Sequence, residues 1–147
     1  MKIFFFLYCF LVITTYASTT SPPTKASSKD NISVGRSQDV RIVNDIKDPI
    51  VVHVRSKNDD LGKTTLAYRA EKRVKFQENL FGGTLFHADF YWKSKTAAFV
   101  IFDQKIRHRY CEGGVDNMCK WSMREDGFYL SGNGKPNDPA TKLHDWS

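Results

Sequence analysis

The sequence predicts an all-β domain, a small antiparallel β-sandwich or barrel, and three observations carry that prediction. Behind a Gly82-Gly83 turn signal, Thr84, Phe86, Ala88, Phe90 and Trp92 alternate with Leu85, His87, Asp89 and Tyr91. Successive side chains of an extended strand point to opposite sides, so these are two faces of one strand. Two Phe and a Trp make the first face the inward one and this strand the centre of the core. The second face should be at least partly wet. Short alternating runs of the same kind recur along the chain between turn residues. No window shows a convincing helical stripe with a cap and a stop.

In chain order, Met1-Lys2 precedes an apolar run at 3–13, with small residues at Thr15 and Ala17. Residues 1–17 therefore read as a signal peptide. The run is too short for a membrane span, which takes about 20 residues. Residues 18–38 read as a disordered tail, rich in Ser, Thr, Lys and Pro and unable to bury enough surface to order itself. Asn31-Ile32-Ser33 within it is an N-glycosylation acceptor. Residues 39–147 form one domain.

That domain opens with a strand at 40–44. After Pro49, Ile50, Val52 and Val54 face one way, and Val51, His53 and Arg55 the other. Residues 58–62 read as a polar loop closing on Gly62, and 62–72 has a weak helical spacing in Leu61, Thr64, Thr65 and Tyr68. Residues 73–77 alternate, ahead of the aromatic strand. The wholly apolar run 97–102 fits a strand covered on both sides or one end of a core helix, and its six residues are strand length. A basic loop follows at 103–110. Cys119, Trp121 and Met123 share a strand face, Asp126-Gly127 turns the chain into 128–130, and 142–146 reads as a last short strand.

Cys9 leaves with the leader. In an oxidising compartment Cys111 and Cys119 are expected to pair as a disulfide, worth roughly 2–3 kcal/mol in the chain-entropy model. The alternatives are two free thiols or a zinc site. With only His108 nearby, the pair falls short of the usual four zinc ligands. The chain carries 22 Lys and Arg against 16 Asp and Glu. Loss of Lys2 leaves a net charge of +5, which draws a secreted protein toward acidic wall glycans or anionic surfaces.

Chemistry-bearing patterns are sparse. His87 and Asp89 share a strand face, with His53 on the outward face of a neighbouring strand. They are an acid–base pair, a partial metal site, or simply a solvated sheet face. There is no Gly-x-Ser-x-Gly, no Gly-rich phosphate loop and no His-Glu-x-x-His. Asn58-Asp59-Asp60 lacks the alternating oxygen ligands of a calcium loop and reads as a turn. Lys105, Arg107, His108 and Arg109 form the densest basic cluster, beside Tyr110. Single-stranded nucleic-acid binding would need interleaved stacking aromatics, and secretion argues against it. Loops on a rigid sandwich are where recognition usually sits.

Taken together, these motifs resemble the plant self-incompatibility protein family, the S-protein homologues, from about Val40 to Trp146. The resemblance rests on Val-Arg-Ile-Val-Asn-Asp at 40–45, Ser-Lys-Asn-Asp-Asp-Leu-Gly at 56–62 and Asn-Leu-Phe-Gly at 79–82. It continues through Thr-Leu-Phe at 84–86, Phe-Tyr-Trp at 90–92, Cys-Lys-Trp at 119–121 and Arg-Glu-Asp-Gly-Phe-Tyr at 124–129. It implies a β-sandwich with long hydrophilic loops, no cofactor and no catalytic activity. In the few members with an assigned role, the protein is a ligand from female floral tissue for a pollen cell-surface receptor. Family members look as if they carry a second disulfide. Val54 and Ala88 stand at those two positions here, which implies that they meet in the core.

The sequence thus predicts a secreted, non-enzymatic ligand recognised by a plant cell-surface receptor, without membrane insertion of the mature chain. Receptor contact is expected at Asn58, Asp59, Asp60, Lys105, Arg107, His108 and Arg109, on the loops 57–62, 103–110 and 112–118. A cell-wall or glycan-binding module is the second reading. A secreted hydrolase using His87 and Asp89 is the third.

Overall fold

Alternation becomes strand pairing in two stacked sheets. The computed structural model describes residues 35–79, 81, 83–112, 117–132 and 139–147. The expected leader, the Asn31 acceptor and most of the tail lie outside the described residues. The strands are β1 (Ser37–Asn44), β2 (Ile50–Ser56), β3 (Asp60–Leu66), β4 (Glu71–Gln77), β5 (Phe86–Trp92), β6 (Lys95–Phe102), β7 (Met118–Arg124), β8 (Gly127–Ser131) and β9 (Thr141–His144). One sheet has the order β4-β1-β7-β8-β9 and the other β3-β2-β5-β6.

The inward faces are those that alternation assigns. Phe86, Ala88, Phe90 and Trp92 of β5 are buried, as are Cys119, Trp121 and Met123 of β7. Phe90, Phe99 and Phe128 pack ring against ring across the sandwich, with centroids 4.7–5.0 Å apart. Buried Trp121 donates its indole N–H to the Ile101 carbonyl at 2.9 Å, tying β7 of one sheet to β6 of the other. A buried indole needs such a partner, because an unmet donor costs about 1–3 kcal/mol.

Several expectations change. β1 and β7 run parallel, so the sandwich is not wholly antiparallel; alternation shows a strand's face, not its direction. Both strands start from the same end, and the intervening β2 to β6 supply the long crossover that a parallel pair requires. The weak helical spacing at 62–72 is instead the end of β3, a turn with Arg69 in the left-handed region at φ 65°, and the start of β4, which carries the chain from one sheet to the other. The polar loop is shorter than 58–62, because Asp60 already starts β3 and Gly62, at φ 69°, sits by a register shift opposite β2. The apolar run 97–102 is not covered on both sides. β6 is an edge strand, with Ala98 exposed and Val100 half-buried. The basic stretch 103–110 is helical: a short turn α1 (Gln104–Ile106), capped by the Asp103 carboxylate, runs into a π-helical turn over Arg107–Cys111. Finally, the last two residues of the expected tail belong to β1, where Ser37 pairs with Gln77 and Gln38 is buried.

Val54 and Ala88 stand directly opposite each other on β2 and β5, both fully buried. They meet side by side within one sheet rather than between the two sheets. Cα atoms of opposed residues in an antiparallel pair lie about 4.5–5.5 Å apart, within disulfide reach. Val54→Cys combined with Ala88→Cys is therefore expected to form a second disulfide under oxidising conditions, read as the loss of two hydrogens by mass spectrometry.

The two ends of the sandwich differ. Connections at one end are short turns: 45–49, 67–70, 93–94 and 125–126. At the other end three of the four connections are long, and the fourth, between β2 and β3, is a tight turn. The short-turn end is tied by Asn44. Its buried carboxamide donates to the carbonyls of Asp48 at 2.8 Å and Leu66 at 2.9 Å, and accepts from Ile46 N–H at 2.8 Å. Asn44→Ala strands those groups and should lower stability by about 2–4 kcal/mol, read from urea unfolding.

His144, at the end of β9, stacks on Phe99 with centroids 3.9 Å apart. Burial pushes its pKa below the ordinary value, against a smaller opposing pull from Asp145. The folded state then binds this proton less well than the unfolded chain. The contribution is complete above about pH 6.5 and is lost as pH falls through the lowered folded-state value. Wild-type melting temperature should rise with pH across that window, and His144→Phe should flatten that rise.

Candidate functional site

The long-connection end is where the predicted contact residues gather, together with some that the sequence did not single out. The turn between β2 and β3 is built by Ser56, whose Oγ accepts from Asp59 N–H at 3.0 Å and whose own N–H donates to the Asp59 carbonyl at 2.7 Å. This projects Lys57, Asn58 and Asp59 into solvent. Opposite lies the β4–β5 connection, where Asn79 N–H donates to Thr84 Oγ1 at 3.0 Å and Phe81 N–H to Asn79 Oδ1 at 3.1 Å. Thr84 thus braces this connection ahead of β5 rather than extending the inward face of the strand. Between the two lies a cleft of about 290 Å³, with Phe76 and Phe86 among its lining and Asn58, Asp59 and Asn79 around them. Phe81 is 98% exposed, and Leu85 is also exposed. An aromatic held this far into water by a hydrogen-bonded turn is the feature that composition and alternation did not isolate. The only signal for it was a Phe between turn residues in Asn-Leu-Phe-Gly.

Asp60 does not join this cleft. It sits on the outer face of the four-stranded sheet, where its carboxylate meets His53 Nε2 at 2.7 Å and accepts from Gly62 N–H at 2.8 Å. The Gly62 N–H first, then His53, hold its pKa below the usual aspartate value.

The basic cluster divides. Lys105 and Arg109 are exposed, and Arg109 lies over the Tyr110 ring. His108 Nδ1 is 2.6 Å from Glu112, which is held below the usual glutamate range, chiefly by that contact. Arg107 was expected to touch a receptor, and the structure corrects this. Arg107 is only 7% exposed, with Nε 3.2 Å from Glu78 and Nη1 3.4 Å from Glu112. Glu78 is itself buried and accepts from Gln38 Nε2 at 3.2 Å. No sequence signal links Arg107 to a carboxylate 29 positions upstream. Removing one partner of a buried pair strands the other charge, at a cost of about 3–5 kcal/mol. Arg107→Ala should therefore lower stability on that scale in chemical denaturation, whereas Lys105→Ala should change it by no more than about 0.5 kcal/mol.

The disulfide joins Cys111, at the end of the π-helical turn, to Cys119 in β7, with Cα atoms 5.2 Å apart. It anchors both ends of the expected 112–118 loop, of which residues 113–116 lie outside the described set.

His87 and Asp89 do share the outer face of β5, but their closest approach is 3.6 Å. His53 Nδ1 is 3.8 Å from Asp89, and Asp89 is bonded instead to Arg55. The cluster lies on an open sheet face, apart from the clefts at the long-connection end. Among the described residues, no group of three or more His, Cys, Asp or Glu is placed to hold a metal ion.

Residues 39–146 match the family model of the plant self-incompatibility protein S1. The chain belongs to the plant self-incompatibility protein S1 family. Relatives include S-protein homolog 5 of Arabidopsis thaliana, 35% identical over 54% of this chain and 58% of that one. S-protein homolog 2 of the same plant is 30% identical over 71% of this chain and 66% of that one. Self-incompatibility protein S1 of Papaver rhoeas is 31% identical over 54% and 56%. The chain therefore spans little more than half to two thirds of the length of these relatives. A solved self-incompatibility protein homologue, described as one of a widespread family of small, highly stable, secreted plant proteins, covers 76% of this chain and 96% of its own. At a TM-score of 0.57 and 19% identity, it shares the fold.

Proposed function

We propose that the mature chain is a secreted, non-enzymatic ligand in plant cell–cell signalling. A cell-surface receptor recognises it through the long-connection end. The observation that carries this reading is the 98% exposed Phe81 beside the cleft rimmed by Asn58 and Asp59. Binding energy concentrates on a few aromatic anchors surrounded by polar contacts, and an aromatic on a braced turn loses little entropy on docking. Lys105 and Arg109, exposed at the same end, supply charge for encounter rather than most of the affinity. Family membership and the leader expected at 1–17 support secretion. The absence of nucleophile motifs, together with the loose His87–Asp89 geometry, favours a non-enzymatic role.

The test is binding of the labelled mature protein to live protoplasts at about 0.15 M salt, where the Debye length is only ~8 Å. Saturable binding is expected. Phe81→Ala should weaken it by about 2 kcal/mol without moving the melting temperature, and His87→Ala should leave it unchanged. Binding confined to walled cells and washed away by salt would overturn the receptor reading.

A further inference from the structure

The outer face of the five-stranded sheet gathers cations that the sequence scatters. Arg41 of β1 stands directly opposite Arg73 of β4 on one side and Lys120 of β7 on the other. In the next row, Asp39 stands opposite Lys75. Like charges directly opposed on neighbouring strands destabilise a sheet, so a row of three needs compensation. Only part of it is internal. The buried Asp39 carboxylate accepts from Arg41 at 3.1 Å and from Arg73. These two guanidinium groups, Arg73 first, hold its pKa below the usual aspartate value. Lys75 and Lys120 have no charged partner among the described residues. The two rows therefore carry a surplus of three positive charges, with Glu71 one row further along β4. Beside them opens a cleft of about 300 Å³ lined by Asp39, Arg73, Lys75 and the polar Asn117.

We infer that this face binds an acidic polysaccharide, a polyuronate whose carboxylates complete the compensation that Asp39 begins. Charges in the row repeat at the strand spacing of about 4.8 Å, comparable to one sugar unit of an extended chain. The cleft offers Asn117 and Ser37 to sugar hydroxyls. A lipid surface fits less well. Interfacial binding wants large apolar side chains beside the cations, and the exposed large hydrophobics, Leu61, Tyr68, Phe81, Leu85 and Tyr91, are not on this sheet. This cleft shares no lining residue with the one beside Phe81, so one protein can be held on a wall polymer without filling the Phe81 cleft.

Isothermal titration of the mature protein with a defined-length oligogalacturonate, repeated across a salt series, tests this. Lys75→Glu with Lys120→Glu should weaken binding roughly tenfold and flatten its salt dependence. Lys105→Glu with Arg109→Glu carries the same charge change at the other surface and should leave affinity within about twofold. Circular dichroism checks that each variant folds. Equal losses in the two double variants would reduce the effect to net charge and overturn the inference. So would a wild-type protein that ignores the uronate but binds anionic phospholipid vesicles. Protoplasts, which lack a wall, read the Phe81 surface independently, so failure of either reading leaves the other standing.

Discussion

The carboxamide of Asn44 is the constraint on which the sandwich depends. It is completely buried, and each of its polar groups is met. Its side chain bonds to Asp48, Leu66 and Ile46, its N–H to the Ala70 carbonyl, and its carbonyl to Arg69 N–H. Leu66 belongs to the opposite sheet, so one side chain fixes the spacing of the two layers at the short-turn end. Each bond is worth only about 1 kcal/mol net. The larger effect is the cost of any other arrangement, which would leave buried carbonyls unpaired. With registers set there and at the Trp121–Ile101 contact, the opposite end is free to carry long polar connections.

Much of this was readable from periodicity. The inward set Phe86, Ala88, Phe90 and Trp92 follows from alternation alone, and Val54 faces Ala88 as the family pattern implied. What escaped has common physical causes. A period of two cannot report direction, so β1 and β7 pairing in parallel was invisible. A one-residue irregularity at Gly62 carries a strand into what composition marks as a loop. Edge and centre look alike when a run is uniformly apolar, as at 97–102. Long-range charge pairing leaves no local trace, so Arg107, which looks like its neighbours Lys105 and Arg109, turns out to be structural because Glu78 lies beneath it.

Charge shows the same lesson in reverse. The densest basic cluster in the chain is partly neutralised on folding, by Glu78 and Glu112, while cations from three distant strands come into register on a sheet face. Local density of Lys and Arg is thus a poor guide to electrostatic surface, because a sheet sorts residues by parity and register. The same sorting separates the two proposed surfaces. One is an apolar anchor on a braced turn, and the other a row of charges on a flat lattice.

The parallel β1–β7 pair also bears on how the protein is made. Val40 and Cys119 are register partners 79 positions apart. Ser147 exchanges both backbone hydrogen bonds with Thr96 on the β6 edge, while Trp146 packs on Trp92 and Phe128. Contacts of such long span slow folding, because loop-closure entropy is spent before they form. The parallel β1–β7 pair cannot form until β7 has been made, so β1 waits for a neighbour supplied much later in the chain. The β6 edge likewise takes its last backbone pairing from a distant segment, and the core closes by joining parts of the chain that are made far apart in time.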